Sequence, residues 1–392
     1  MSIPVYTITS NLGHEVRAQW LEKVGSCLEE GLEEVSLAEY LRSSFALLFV
    51  SSGGSENAFL EFADRIGDRP VYLFTSGESN SLAASMEILS YLYSMGRQGE
   101  ILHGKPENVA ERIMVLSRVS HAKERLRGSV LGCVGEPSDW LISSPLDDSV
   151  CREKLGIRFE QIPMDELLCE YDRGGYSKDG RTEELLERSF DRAETEKALR
   201  LYGALERVTQ AHHLAGVSLR CFDLLDSLKT TGCLALALLN AKGIPAACEG
   251  DMPALLSMAI VNAVTGKEPG FMCNPSRIDS ASGEMVLAHC TLPLTMPSDY
   301  SLMTHYESGI GVALRGKLSE GVYTLFKTDV RLSRFMAQRV VLLSNPEEEH
   351  LCRTQVKLRA EDTDYFLKRP IGNHHILCIG DHKNDLCAFF ED

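Results

Sequence analysis

The feature that most constrains this 392-residue chain is an alternation of strand and helix signals through its first two-thirds. Short apolar runs at Pro4–Thr9, Phe45–Ser51 and Pro70–Thr75 are separated by helical patterns at Glu15–Glu30 and Glu56–Ile66, and a run at Glu100–His103 precedes a helix from about Glu107 to His121. Strands that lie parallel need a crossover between them, so this alternation predicts βαβ units around a parallel sheet. A second series begins near Arg125. Strands are predicted at Ser129–Val134, Ile157–Ile162, Val217–Phe222 and Ile244–Cys248. Helices are predicted from Glu194, with Leu201, Leu205, Val208 and Ala215 on one stripe, over Thr231–Lys242, and over Met252–Thr265. The polar, Gly-containing stretch 172–191 predicts a loop or lid leading into a helix.

After Gly270 the pattern changes. Runs such as Glu284–Thr291, Gly309–Leu314 and Val322–Phe326 alternate and are divided by turn residues, which predicts antiparallel β structure, a small barrel for example. The expected architecture is therefore α/β: two Rossmann-like α/β domains with parallel sheets, at 1–123 and 124–268, then a mainly antiparallel, barrel-like β domain at 269–392.

Composition narrows the function classes. Fifty-six acidic against 40 basic residues give a formal charge of −16, a field that repels nucleic acid and anionic membranes. The best apolar stretch, Cys233–Cys248, is interrupted by Asn240, Lys242, Gly243 and Pro245, so no membrane span is expected. The first residues, MSIPVYTITSNLGHE, carry neither a basic nor a long apolar leader region, and a cytoplasmic protein is the expectation. Twelve scattered cysteines without a CxxC pair read as reduced, mostly buried thiols and do not support a zinc–thiolate centre.

Several segments carry chemistry-bearing residues at strand ends. In Gly243–Met258 the strand stops at Cys248, and Glu249-Gly250-Asp251 follows before a helix. Open α/β sheets bind ligands at that edge. The carboxylates there suit a divalent cation or a proton transfer, while Asp251 also suits a helix N-cap. Asp223 stands 28 residues earlier, at the end of another predicted strand, and reads either as a second carboxylate of the same crevice or as a solvated loop residue. Gly372-Asn373-His374-His375 offers an imidazole ligand or a surface turn. Ala288-His289-Cys290-Thr291 and His305-Tyr306-Glu307-Ser308 suit a polar pocket or strands satisfied by backbone. Gly135–Trp140 suits a contact to a substrate hydroxyl or a tight turn with a packed Trp. Ser51–Glu56 suits an anion cradle but lacks a GxGxxG or P-loop pattern, so nucleotide binding is unsupported.

Taken together, GEPSDWLI (135–142), RCFDLL (220–225), CLALALLNAKGIPAACEGDMPALLSM (233–258), AHCTLPL (288–294), THYESGIGVAL (304–314) and GNHHILCIGDH (372–382) resemble the L-fucose isomerase / L-arabinose isomerase family, specifically its short fucose-isomerase-like members. The resemblance covers the last two-thirds of the chain. It implies a metal-dependent aldose–ketose isomerase acting through an enediolate, with a divalent cation, usually manganese, held by two carboxylates and one histidine. Carried over by motif, these are Asp223, Asp251 and His374, the two aspartates doubling as bases. Asn373 matches a substrate-contacting asparagine, and His289, Glu307 and Trp140 become further substrate-pocket candidates. The substrate implied is a monosaccharide, fucose- or arabinose-like, or a modified hexose such as sulfoquinovose. A homo-oligomer, trimer or hexamer, is implied too. The competing reading is a sugar-binding or sensor protein that kept the fold without turnover, and a metal-dependent aldolase or epimerase is a third.

Overall fold

A computed structural model describes residues 2–10 and 14–391, with the side chains of 14–18 left out. The chain forms two compact units, one reaching to Glu124 and including Glu391, the other Arg125–Phe390.

The first unit is one parallel sheet with β1 (Ile3–Ile8), β2 (Leu32–Glu34), β3 (Leu47–Val50), β4 (Val71–Phe74) and β5 (Gly99–Leu102) in the order β2-β1-β3-β4-β5. Helices cover both faces. One face buries Ile8, Leu48, Val50, Phe59 and Phe62, and the other buries Val5, Leu47, Phe49, Phe74 and Ile113. Burial on both faces explains why the central strands β1, β3 and β4 read as apolar runs.

The second unit holds a four-stranded parallel sheet of β6 (Val130–Val134), β7 (Arg158–Ile162), β8 (Gly216–Leu219) and β9 (Ala246–Cys248), in the order β7-β6-β8-β9. The helix Arg192–Ala211 buries Leu201, Leu205 and Val208 as its predicted stripe requires. Ala215 falls outside that helix and is exposed, because the chain has already turned through a left-handed His213 toward β8. The stretch 172–191 contains more helix than its polarity predicts: Asp179 caps Gly180–Glu187, accepting from the Thr182 amide at 2.9 Å. The helix Cys233–Ala241 is apolar all round and buried through Asn240, as a central helix must be. Asn240 then fixes the entry to β9 by exchanging two 2.8 Å hydrogen bonds with the Ala246 backbone.

The rest of this unit is antiparallel. Strands β10 (Phe271–Asp279) and β11 (Glu284–His289) precede a separate hairpin of β12 (Asp299–Met303) and β13 (Ala313–Lys317). Then come β14 (Gly321–Thr328), β15 (Phe335–Ser344), β16 (Thr354–Ala360) and β17 (His375–Ile379), and the six strands β10-β11-β16-β15-β14-β17 close into a barrel. Its interior is filled by residues including Phe271, Leu287, Leu325, Val340 and Leu358. The fold class expected from the sequence, parallel α/β sheets followed by an antiparallel barrel, is what the structure shows. The helix Met252–Val264 packs against β9 on one side and β14 and β17 on the other, and Ser257 Oγ accepts from the Thr328 amide at 3.1 Å. Through that helix the second sheet and the barrel share one core.

His212, at the C-terminal end of Arg192–Ala211, lies between Glu160 of β7 (2.5 Å) and Glu166 (2.7 Å). The two hydrogen bonds raise the His212 pKa above its ordinary value. A raised folded-state value means that this contribution is complete below the ordinary histidine pKa and fades as pH rises through the raised one. His212→Gln should therefore destabilise the protein more at pH 6 than at pH 9, by about 0.5–1 kcal/mol, in paired denaturant titrations.

Candidate metal centre

The doubly wound order of the second sheet reverses between β6 and β8, and ligand crevices form outside the carboxyl ends of strands at such a point. Three chain segments meet there: the turn after β6 through Trp140, the turn after β8 through Phe222, and Glu249-Gly250-Asp251 after β9. The barrel adds His289 at the end of β11 and His374 just before β17.

Among the described residues, Glu249, His289 and His374 bring one ligand atom each within 4.8 Å of one another. His374 is fully buried. Its Nδ1 hydrogen-bonds Asp251 Oδ2 at 2.8 Å, and its Nε2 lies 3.4 Å from Glu249 Oε1 without a hydrogen-bond partner. A buried ring nitrogen without a partner is costly unless something accepts from it or it donates a lone pair to a cation. The His289 and His374 rings stand edge to face, 5.4 Å apart, and His289 Nδ1 bonds Thr291 Oγ1 at 3.0 Å, which leaves its other nitrogen available. The Trp140 indole N–H donates to Glu249 Oε2 at 2.6 Å. One carboxylate and two imidazoles, each oriented by a second partner, suit a first-row divalent cation.

Electrostatics keep the two carboxylates ionised. Burial pushes Glu249 up, but His374, His289 and the Trp140 hydrogen bond outweigh it and hold it at about 2. Burial likewise opposes Asp251, which the Lys327 ammonium, His374 and the Ala254 amide bring to about 2. Burial favours a neutral His374 ring, yet the bond to Asp251 and the adjacent Glu249 carry it up to about 9. His289 is lowered to about 4, by burial first and by His374 second.

Asp251 takes the N-cap role its sequence offered and is not one of the three grouped residues, although the sequence resemblance makes it a cation ligand. It caps the helix Met252–Val264, accepting from the Ala254 amide at 2.8 Å, and its other oxygen orients His374. Glu249, which the sequence places beside it, is the carboxylate in the three-residue group. Asp223 is not brought to the group. It starts a short helix, is exposed, and is bound by Arg220 Nε at 3.0 Å, while Arg220 also holds Asp139 and the Pro137 carbonyl. From that segment Phe222 packs edge to face with Trp140 at 5.0 Å and with His305 at 5.9 Å. Glu307 is exposed, and His305 bonds Ser308 at 3.0 Å. Asn373 is exposed beside Trp140 and lines a cleft of about 390 Å³ with it. The paired histidines split by strand alternation: His375 turns into the barrel, where it bonds the Tyr365 hydroxyl at 3.0 Å.

One further residue was not singled out in the sequence. Lys327 of β14 is 1% exposed, and its Nζ lies 3.9 Å from Asp251 Oδ1 with no hydrogen-bond partner. Its signal was a lysine in the middle of the apolar run VYTLF-K-TDV, where a solvated charge has no place.

No family model matches the chain. Comparison with curated proteins finds sulfoquinovose isomerases at low identity. That of Alkalicoccus urumqiensis is 22% identical over 271 residues, covering 63% of this chain and 59% of the relative. That of Clostridium sp. (strain MSTE9) is 25% identical over 221 residues, covering 54% and 49%. That of Priestia aryabhattai is 21% identical over 260 residues, covering 63% and 58%. The match thus spans about half to three-fifths of the length of these relatives.

The turn that aims Glu249 is sterically tight. Glu249 (φ +64°) and Gly250 (φ +69°) are both left-handed, and a Cβ on Gly250 would meet the Glu136 carbonyl oxygen at 2.5 Å and Pro137 Cα at 2.8 Å. Gly250→Ala should cost about 1–3 kcal/mol in thermal or denaturant unfolding, because backbone cannot yield as a side chain does.

Proposed function

We propose that this chain is an aldose–ketose isomerase of a monosaccharide, and that sulfoquinovose is its substrate. The observation that carries the reading is the convergence of Glu249, His289 and His374, with a buried, unpartnered His374 Nε2 at its centre. The low-identity similarity to sulfoquinovose isomerases supports the reaction class and the choice of sugar.

Those three residues fit a divalent cation, and manganese is the one the sequence resemblance implies. When bound, the cation would supply a Lewis acid for the negative charge that develops on the sugar oxygens as a proton moves between C1 and C2. The chain's own residues do the rest. Asp251 accepts from His374 Nδ1 and so sets the tautomer in which Nε2 is the lone-pair nitrogen. Trp140 fixes one Glu249 oxygen by its indole N–H and leaves much of its ring exposed, an apolar face for the C–H side of a sugar. Proton transfer at C1 and C2 needs a base that is unprotonated near neutral pH. Glu249 and His289 meet that requirement, the Asp251 oxygens are already engaged by Ala254 and His374, and Asp223 stands outside the group. We further propose a cytoplasmic homo-oligomer, which light scattering tests directly.

Incubation of the full chain with sulfoquinovose, L-fucose, L-arabinose and D-arabinose, followed by NMR of the products, tests the reaction. Interconversion of aldose and ketose is expected, lost on chelation and restored by manganese. Binding without product would assign a sensor instead, and carbon–carbon cleavage or simple inversion would assign an aldolase or epimerase. Calorimetric titration with manganese tests the ligand set separately. Glu249→Gln should abolish tight binding, Asp251→Asn should weaken it about 10–100-fold through loss of His374 orientation, and Asp223→Asn should leave it near wild type.

A further inference from the structure

Lys327 is unusual because its ammonium is buried, carries three donors and satisfies none of them among the described residues. Asp251 at 3.9 Å is too far for a hydrogen bond and is already engaged by His374 and Ala254. An unsatisfied buried cation is retained only where an acceptor arrives to complete it. The surroundings are built for one. Lys327 lines the cleft of about 390 Å³ that Asn373 and Trp140 also line, and Trp140 is the hydrogen-bond partner of Glu249, although Glu249, His289 and His374 do not themselves line it. Gly372 (φ +69°) borders the ammonium: a Cβ there would stand in ordinary contact with Lys327, 3.8 Å from Cε and 3.9 Å from Nζ. Arg334, Ser143 and Ser144 add donors along the same wall. The one acid of that wall, Asp329, is already occupied by the Ser333 amide at 2.9 Å and the Ser333 hydroxyl at 2.8 Å, with Arg334 3.8 Å away. The wall thus carries two cations against one hydrogen-bonded acid, a net positive charge, and presents hydroxyl groups to the cleft.

We propose that Lys327, with Arg334, is the specificity element of this site: it receives a tetrahedral oxyanion carried on the end of the sugar away from the carbonyl. This inference rests on the sugar-isomerase reading for the identity of the carrier, but the oxyanion site stands on the geometry of the cleft. A sulfonate on the terminal carbon and a phosphate ester there offer the same three oxygens. Both are acceptors for an ammonium and a guanidinium, whereas a neutral hydroxyl leaves the buried charge uncompensated.

The test uses open-chain polyols, which cannot isomerise, so that binding is read apart from turnover. Glucitol, 6-deoxy-6-sulfoglucitol and glucitol 6-phosphate are titrated calorimetrically into the full chain, Lys327→Met and Arg334→Met. Wild type is expected to prefer an anionic polyol over glucitol by about tenfold or more, the size of one charge-assisted hydrogen bond. Lys327→Met should bring that ratio close to one, and Arg334→Met should lower it in part. The better of the two anionic polyols identifies the oxyanion. Because the readout is a ratio, a general loss of folded protein does not imitate the result. Should Lys327→Met fail to fold, the exposed Arg334 carries the test. Equal binding of all three polyols by wild type, or a preference that both variants keep, overturns the proposal. A Lys327-dependent preference without conversion of any sugar would overturn the isomerase reading and leave the oxyanion site standing. Isomerisation of neutral and anionic sugars at equal kcat/KM, unchanged in ratio by Lys327→Met, would do the reverse.

Discussion

The Asp251 carboxylate is the interaction on which the rest of the site depends. It is fully buried, and ionised carboxylates are buried only at a cost of several kcal/mol unless their oxygens are satisfied. Here each oxygen has a task. One caps the helix Met252–Val264 through the Ala254 amide and faces Lys327, and the other holds His374, 123 residues away in the chain. The helix belongs to the parallel sheet, the ammonium to β14 and the imidazole to the segment entering β17. One side chain therefore ties the α/β layer to the barrel by polar contacts, beside the apolar core that the same helix provides. Of the groups that offset the buried charge, His374 belongs to the candidate centre as well.

The neighbouring Glu249 shows how the backbone is bent to serve that arrangement. A left-handed φ at a glutamate is uncommon and costs of order 1–3 kcal/mol. The cost is met by packing the turn against the loop after β6, where the Ser138 amide donates to the Glu249 carbonyl at 2.9 Å and Trp140 donates to its side chain. The loops after β6 and β9 thus lock each other, and the carboxylate reaches the two histidines instead of following the strand direction outward.

Much of this architecture was legible in the sequence, and the failures have physical causes. The parallel strands are buried on both faces and announce themselves as apolar runs, so β1, β3, β4, β6 and β9 fall close to their predicted places. In the barrel, β15 and β16 were not read, because charged residues such as Arg339, Lys357 and Arg359 occupy their outward positions and dilute the pattern. In the site, a helix cap and a paired histidine mark Asp251 and His374 as candidates, and it is the family resemblance that selects them as ligands. Asp223 against Glu249 was not decidable by spacing. Both follow parallel strands, but one backbone continues into a helix with its carboxylate toward Arg220, and the other reverses through two left-handed residues. That difference lies in φ angles and in a partner arginine, neither of which one-dimensional periodicity reports. Lys327 is hard to recognise for the opposite reason: its strand is so apolar that a lysine there reads as the strand's end, although it is the residue the strand buries most unusually.

The charges at this seam also form an order that a neutral pocket would lack. Glu249, His374, Asp251 and Lys327 alternate as acidic and basic side chains from the candidate centre into the barrel, each within 4 Å of the next. In a low-dielectric interior such a sequence is stable only as a set, since removing one member leaves its neighbour uncompensated. The two ends of the set differ in kind. One presents lone pairs and a carboxylate, which suit a cation, and the other presents an unsatisfied ammonium, which suits an anion. On the proposed reading, a small ligand with an electron-rich carbonyl end and a charged far end would have one favourable direction between the two. Orientation of this sort acts before any bond is made or broken, and it follows from where the strands of a sheet and a barrel happen to end.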